Sequence, residues 1–105
     1  LAAELDDVLE RIVDLLPIVR NHVYHPDFGG SFSLKAVAPA LVGDSSYEAL
    51  EVKEGGTASF ELERLMFDEE LGEPERSRLR SSLLAYCAED TRVLVGLARE
   101  LRRLA

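Results

Sequence analysis

A mainly α-helical fold is what this sequence predicts, and three observations carry the prediction. Apolar residues recur at i, i+3 and i+4 through the first sixteen positions. The same periodicity returns from Ala58 to about Glu70 and runs from about Glu75 to Leu104. Proline and glycine punctuate the chain between these runs, at Pro17, Pro26, Gly29-Gly30, Gly43, Gly55-Gly56 and Gly72-x-Pro74. About five helices follow from this, the last of them long.

The first helix spans Leu1 to Val13, with Leu5, Val8, Leu9, Ile12 and Leu16 on one side and Glu4, Asp7, Glu10 and Arg11 on the other. Pro17 disfavours helical geometry at Leu16 and lacks a backbone donor, so a break near residues 12–15 is expected. Asp14 then caps a second helix that runs to about His22 and tolerates Pro17 in its first turn. Ile12-Val13 as the end of a buried strand is the alternative. Residues 21–30 form a loop rich in aromatics, in which core-packed or solvated His22 and His25 outweigh metal ligation because no further ligand set lies nearby.

Ser33 is the expected cap of a third helix that presents Leu34, Val37, Ala38 and Leu41 on one face. Pro39 predicts a kink or two short turns ending at Gly43. Asp44-Ser45-Ser46 opens a short turn around residues 47–50. Thr57 is the expected cap of the fourth helix, which buries Phe60, Leu62, Leu65 and Met66. In the final helix Leu79, Leu83, Leu84 and Cys87 start an apolar stripe, and Val93, Leu94, Leu97, Leu101 and Leu104 continue it. Gly96 lowers helix propensity there and suits close packing against a neighbour.

Composition narrows the function classes. A chain of 105 residues with 47% hydrophobic and 30% charged residues folds as one domain with a modest core. No apolar run is long enough to cross a bilayer, and no secretory leader opens the chain. The lone Cys87 makes no intramolecular disulfide. These features predict a cytoplasmic protein with no membrane partner. The chain begins inside an amphipathic pattern, which leads us to expect a piece of something longer.

The net charge of -8 argues against loose nucleic-acid binding by the chain as a whole. Charge is uneven, however. Residues 1–70 carry 15 acidic against 5 basic residues, whereas residues 71–105 carry 7 arginines against 5 acids. The basic end either faces phosphates or docks on the acidic part.

The stretch Leu83-Leu84-Ala85-Tyr86-Cys87-Ala88-Glu89-Asp90-Thr91 carries the chemistry. Tyr86 and Asp90 are four apart, so a helix projects both from one face. A carboxylate on an otherwise apolar face must be paired, capped or bound to something. Phenol and carboxylate together suit a divalent metal and its water, or else form an ordinary side-chain pair. No phosphate-binding glycine loop, nucleophile elbow or metal-ligand cluster supports a small-molecule enzyme.

The run Tyr86-Cys87-Ala88-Glu89-Asp90-Thr91, late in a helix, resembles the third motif of the DEDDy branch of DnaQ-like 3'-5' exonucleases. Ile12 to Leu16 followed by Gly30 to Lys35 looks like the segment after the second motif of such enzymes, and Gly55, Gly56 and Ala58 look like the helix start before the tyrosine motif. Tyr24-His25-Pro26-Asp27-Phe28-Gly29-Gly30-Ser31-Phe32-Ser33 resembles a bacterial domain of unknown function found at the C-terminal end of longer proteins, often after a RecB- or Cas4-like nuclease segment. The likeness extends over nearly the full chain.

This resemblance implies the helical part of an RNase H-like α/β fold whose sheet lies upstream. It implies Asp90 as a ligand of Mg2+ or Mn2+ and Tyr86 as the group orienting the attacking water. DNA or RNA would be the substrate, with His25, Lys35, Arg80 and Arg92 as contacts to it. The Asp-x-Glu first motif and the acid of the second are missing, so the chain alone is expected to be inactive and to take its remaining acids from an upstream nuclease segment. A non-catalytic helical interaction module is the alternative. Self-association through a face that the missing sheet would cover is expected of the isolated chain.

Overall fold

The computed structural model describes residues 1–43 and 47–105. Its five helices are α1 (Ala2–Arg11), α2 (Leu15–His22), α3 (Leu34–Leu41), α4 (Gly55–Phe67) and α5 (Glu73–Leu104), with single 3-10 turns at Pro26–Phe28 and Tyr47–Ala49. The mainly helical class predicted from periodicity is observed. No strand occurs among the described residues, and Ile12 is instead an extended connector with φ -73° and ψ 129°. The opening of the turn at Asp44-Ser45-Ser46 lies outside the described residues.

α5 is the spine. Its 32 residues make a rod of about 48 Å, close to the 50 Å longest dimension of the molecule. α3 and α4 pack along it and α2 reaches it through Val19, and the molecule is a slab only 19 Å deep, about two helix diameters. The radius of gyration is 16.7 Å, against about 13 Å for a compact domain of this length. Solvent reaches 7590 Å² of surface, where a compact monomer of this mass exposes about 5,800 Å². The chain therefore leaves open roughly 1,700 Å² that a closed fold would cover.

Two apolar clusters hold the slab together. Val19 of α2, Phe28, Val37 of α3 and Leu97 of α5 form one. Ala38, Tyr47 and Val93 form the other, directly along α3 and α5. α3 and α5 approach closely because position 96 is glycine: a Cβ there would sit 2.7 Å from Val42 Cγ1. The close-packing role expected of Gly96 is thus the one observed.

Local chemistry sets the helix ends. Asp14 caps α2 as expected, its carboxylate accepting from the Leu16 N–H at 3.0 Å, and Pro17 sits in the first turn. Ser33 holds the N-cap position of α3, though its side chain makes no capping bond. α3 then runs unbroken through Pro39 to Leu41, and the chain leaves it through Gly43, whose φ of 87° suits a residue without Cβ. Of the expected kink or pair of short turns at Pro39, the pair of turns does not occur. Proline loses one backbone bond there, and burial of Val37 and Ala38 outweighs it.

α4 differs from expectation in three ways. It starts at Gly55 with Glu54 in the cap position, and Thr57 lies inside the helix donating to the Glu54 carboxylate at 3.2 Å. It ends at Phe67 rather than Glu70, where Arg76 of α5 donates to the carbonyls of Leu65 and Asp68 and supplies the partners a helix end lacks. Phe60, Leu62 and Met66 are exposed rather than buried. The face turned to α5 is instead the one bearing half-buried Ala58, Glu61 and Leu65.

In α5 the buried positions are Leu79, Leu83, Glu89, Val93 and Leu97. Leu84, Cys87, Leu94 and Leu104, expected on the buried stripe, face solvent. One line at alternating four- and three-residue steps through 79, 83, 86, 90, 93 and 97 is buried or half-buried, with buried Glu89 beside it, whereas Leu84, Cys87 and Leu94, one position off it, are exposed.

Candidate functional site

Tyr86 and Asp90 fall on that contact line, between Leu83 and Val93, where both are half-buried. The single helical turn between them puts them together, as their spacing predicted. What completes the site is Tyr47, in the 3-10 turn that follows α3. Its ring is buried against Ala38 and Val93, and its hydroxyl donates to Asp90 Oδ1. The Tyr47 and Tyr86 rings lie 6.3 Å apart at 58°, and Lys35 Nζ of α3 sits 5.9 Å from the Tyr47 ring centroid. Immediately before Asp90, Glu89, itself buried, accepts from both Nε (3.0 Å) and Nη2 (2.6 Å) of Arg92.

The electrostatics follow from burial. Burial, then the hydrogen bond to Asp90 and the negative charges nearby, push the Tyr47 phenol far above the ordinary range. Burial first, then the Asp90 charge, also raise the Tyr86 phenol. Both phenols stay protonated at neutral pH, and Tyr47 donates its proton to Asp90. The half-buried carboxylate of Asp90 has in Tyr47 the partner that its environment demands.

This arrangement bears directly on metal chemistry. Among the described residues no group of three or more His, Cys, Asp and Glu side chains is placed to hold a cation. At the Tyr86–Asp90 pair the Asp90 carboxylate accepts from the Tyr47 phenol.

The residues expected to meet nucleic acid are engaged or dispersed. His25 is the cap of the 3-10 turn, its Nδ1 accepting from the Asp27 N–H at 3.1 Å, and it stacks near Phe28 at 5.8 Å. Lys35 lies over Tyr47, and Arg92 clamps Glu89. Arg80 is exposed on α5, about 18 Å along the helix from Arg92. His22 is exposed at the end of α2.

Residues 1–33 match the family model of DUF2779, a domain of unknown function. The matched part takes in α1, α2 and the turn at Pro26–Phe28, and it ends at the last residue of the Tyr24-to-Ser33 run. The likeness expected over nearly the whole chain is therefore found over its first third, and the exonuclease likeness of the Tyr86 region has no counterpart in the match. No curated protein and no solved structure matches the chain. Among the described residues no helix is long and apolar enough to cross a membrane.

Sequence reasoning placed Tyr47 only in a turn and treated Glu89 only as part of a motif. An aromatic residue inside the polar run Ser45-Ser46-Tyr47-Glu48 was a signal of burial. The three-residue step from Glu89 to Arg92 was the signal of their pairing.

Proposed function

We propose that this chain is a non-catalytic helical interaction module. The observation that supports the reading best is α1: ten residues of strongly amphipathic helix with none buried, leaving Leu5, Val8, Leu9 and Ile12 in solvent. Such a stripe is stable in water chiefly when another surface covers it. The roughly 1,700 Å² of excess surface agrees with a protein that finishes folding its surface against a partner. Asp90 in this reading is a structural acceptor that fixes the turn at Tyr47–Ala49 onto α5.

Calorimetric titration of Mn2+ into the chain, and into a form extended upstream, tests the proposal. No saturable binding at millimolar metal is expected. Saturable binding that Asp90→Asn removes overturns it.

A second reading has one specific observation in its favour. Tyr86 and Asp90 share a face beside the start of α4, where a Cβ on Gly55 would lie 3.8 Å from the Tyr86 hydroxyl. In that reading the chain is the C-terminal subdomain of a metal-dependent nuclease acting on DNA or RNA, with its other acids on an upstream segment of the same protein. Hydrolysis of single-stranded DNA or RNA by the extended form with Mn2+, slowed by Asp90→Asn, would select it.

A further inference from the structure

We propose that the outer face of α4 docks an arginine-bearing segment of another protein, seated on Phe60 and Phe67 against the carboxylates of Glu63 and Asp68. The inference rests on the interaction-module reading and adds to it a surface and a partner chemistry.

α4 turns Ala58, Glu61 and Leu65 toward α5, so positions 60, 63 and 67 fall on the opposite side of the helix. Steps of three and four residues set them in one row about 10 Å long. Phe60 and Phe67 are 60% and 71% exposed, and with Glu63, Arg64 and Asp68 they line one shallow, open depression. Met66 flanks the row and is exposed as well. Two phenylalanines held in water on one face of one helix mark a contact surface rather than a solvated one. Glu63 lies one turn from each ring, so a single bound side chain reaches both a ring and a carboxylate.

The charge around this row has one sign. Residues 59–75 hold seven acids and one base. That base, Arg64, is held by Glu61 at 2.9 Å, and Glu75 is held by Arg78. Glu63, Asp68, Glu69, Glu70 and Glu73 have no ion-pair partner among the described residues. Arg76, the next cation along the chain, donates instead to the carbonyls of Leu65 and Asp68. Five uncompensated acids repel phosphate, which sets aside nucleic acid and anionic lipid surfaces as occupants of this face. The complementary partner is positively charged and still covers the rings. A guanidinium does both, stacking flat on an aromatic face while its edge donates to carboxylates. A lysine ammonium or a free polyamine neutralises the acids and leaves the rings in water. An amphipathic helix with arginine and leucine one turn apart matches the spacing of the row.

Fluorescence anisotropy of a labelled helical peptide carrying arginine and leucine one turn apart is the test, with lysine and glutamate versions of the same peptide beside it. Saturable binding of the arginine peptide at micromolar concentrations is expected. The double variant Phe60→Ala, Phe67→Ala should weaken it about tenfold or more while the helical circular dichroism persists, because both rings are exposed. Glu63→Lys should weaken it about tenfold and let the glutamate peptide bind in its place, an exchange of preference that a merely structural effect would not produce. Lysine in place of arginine should cost about three- to tenfold. Absence of saturable binding at millimolar arginine peptide overturns the proposal, as does binding that survives loss of both rings or a lysine peptide that binds as tightly. Sedimentation equilibrium of the parent chain tests the remaining occupant: self-association that the same double variant abolishes would assign the face to a second copy and overturn the proposal. None of these results touches the metal titration on which the interaction-module reading stands.

Discussion

α1 and α3 are short helices with comparable apolar periodicity, yet α3 buries Val37 and Ala38 to 1% and 0% exposure while α1 buries nothing. The difference lies in what surrounds them. α3 has Phe28 on one side, Tyr47 on another and, at Gly96, a stretch of α5 without a side chain to hold it off. α1 is joined to the rest through an extended connector, and no residue of it is buried against the other described residues. An amphipathic pattern thus states that a face is to be covered; which surface covers it is a separate matter.

The largest predicted effect sets the two environments directly against each other. Val93→Asp places an unpaired charge where no solvent reaches and should cost about 4 kcal/mol or more, enough to remove a cooperative urea transition. Leu9→Asp on α1 should stay within about 0.5 kcal/mol of the parent when both are compared as monomers. Equal destabilisation by the two substitutions would erase the contrast between the helices.

The next effect concerns the polar contact at the centre of the slab. Tyr47→Phe removes the donor to Asp90 and should cost about 1.5–3 kcal/mol, the range for a hydrogen bond to a charged group. It should also change the alkaline limb of stability. The Tyr47 phenol in the fold titrates above the ordinary tyrosine value of 10.0, so the folded state holds a proton that the unfolded state releases first. That contribution is complete below about pH 10 and drains away as pH rises beyond it. Chemical denaturation of parent and Tyr47→Phe from neutral to strongly alkaline pH should give a shallower decline in the variant. A parallel decline would place the Tyr47 proton outside the folding equilibrium.

The smallest effect sharpens the account of why α3 packs well. Gly96→Ala gains about 1 kcal/mol of helix propensity but brings a methyl to 2.7 Å from Val42 Cγ1, an overpacking that costs about 1–3 kcal/mol. A net loss of about 1 kcal/mol by thermal or urea denaturation is expected. In a Val42→Ala background the same substitution should become stabilising. Unchanged sign in that background would mean that the close approach is not what position 96 contributes.

Much of the fold was legible before any coordinates. Asp14 as a cap, the break before Pro17, the short helix to His22 and the long final helix all follow from backbone sterics and side-chain acceptors acting within a few residues. Thr57 misled because the helix starts two residues earlier, at Gly55, which lies against Tyr86 of α5. Phe60 and Met66 misled for a related reason, since their spacing is helical but the buried side of α4 was chosen by its fit to α5. At the candidate site the spacing of Tyr86 and Asp90 was readable, and the contact made by Asp90 was not, because Tyr47 lies 43 residues away along the chain.

By itself, then, the sequence determined that helices form, where most of them begin and end, and that Tyr86 and Asp90 share a face, because each of these depends on interactions reaching no further than one helical turn. Only the tertiary structure decided that Asp90 is answered by Tyr47, that Gly96 admits Val42, and that α1 and the outer side of α4 remain open. Those outcomes turn on which surfaces meet across the slab, and the periodicity of a single helix carries no record of its partner.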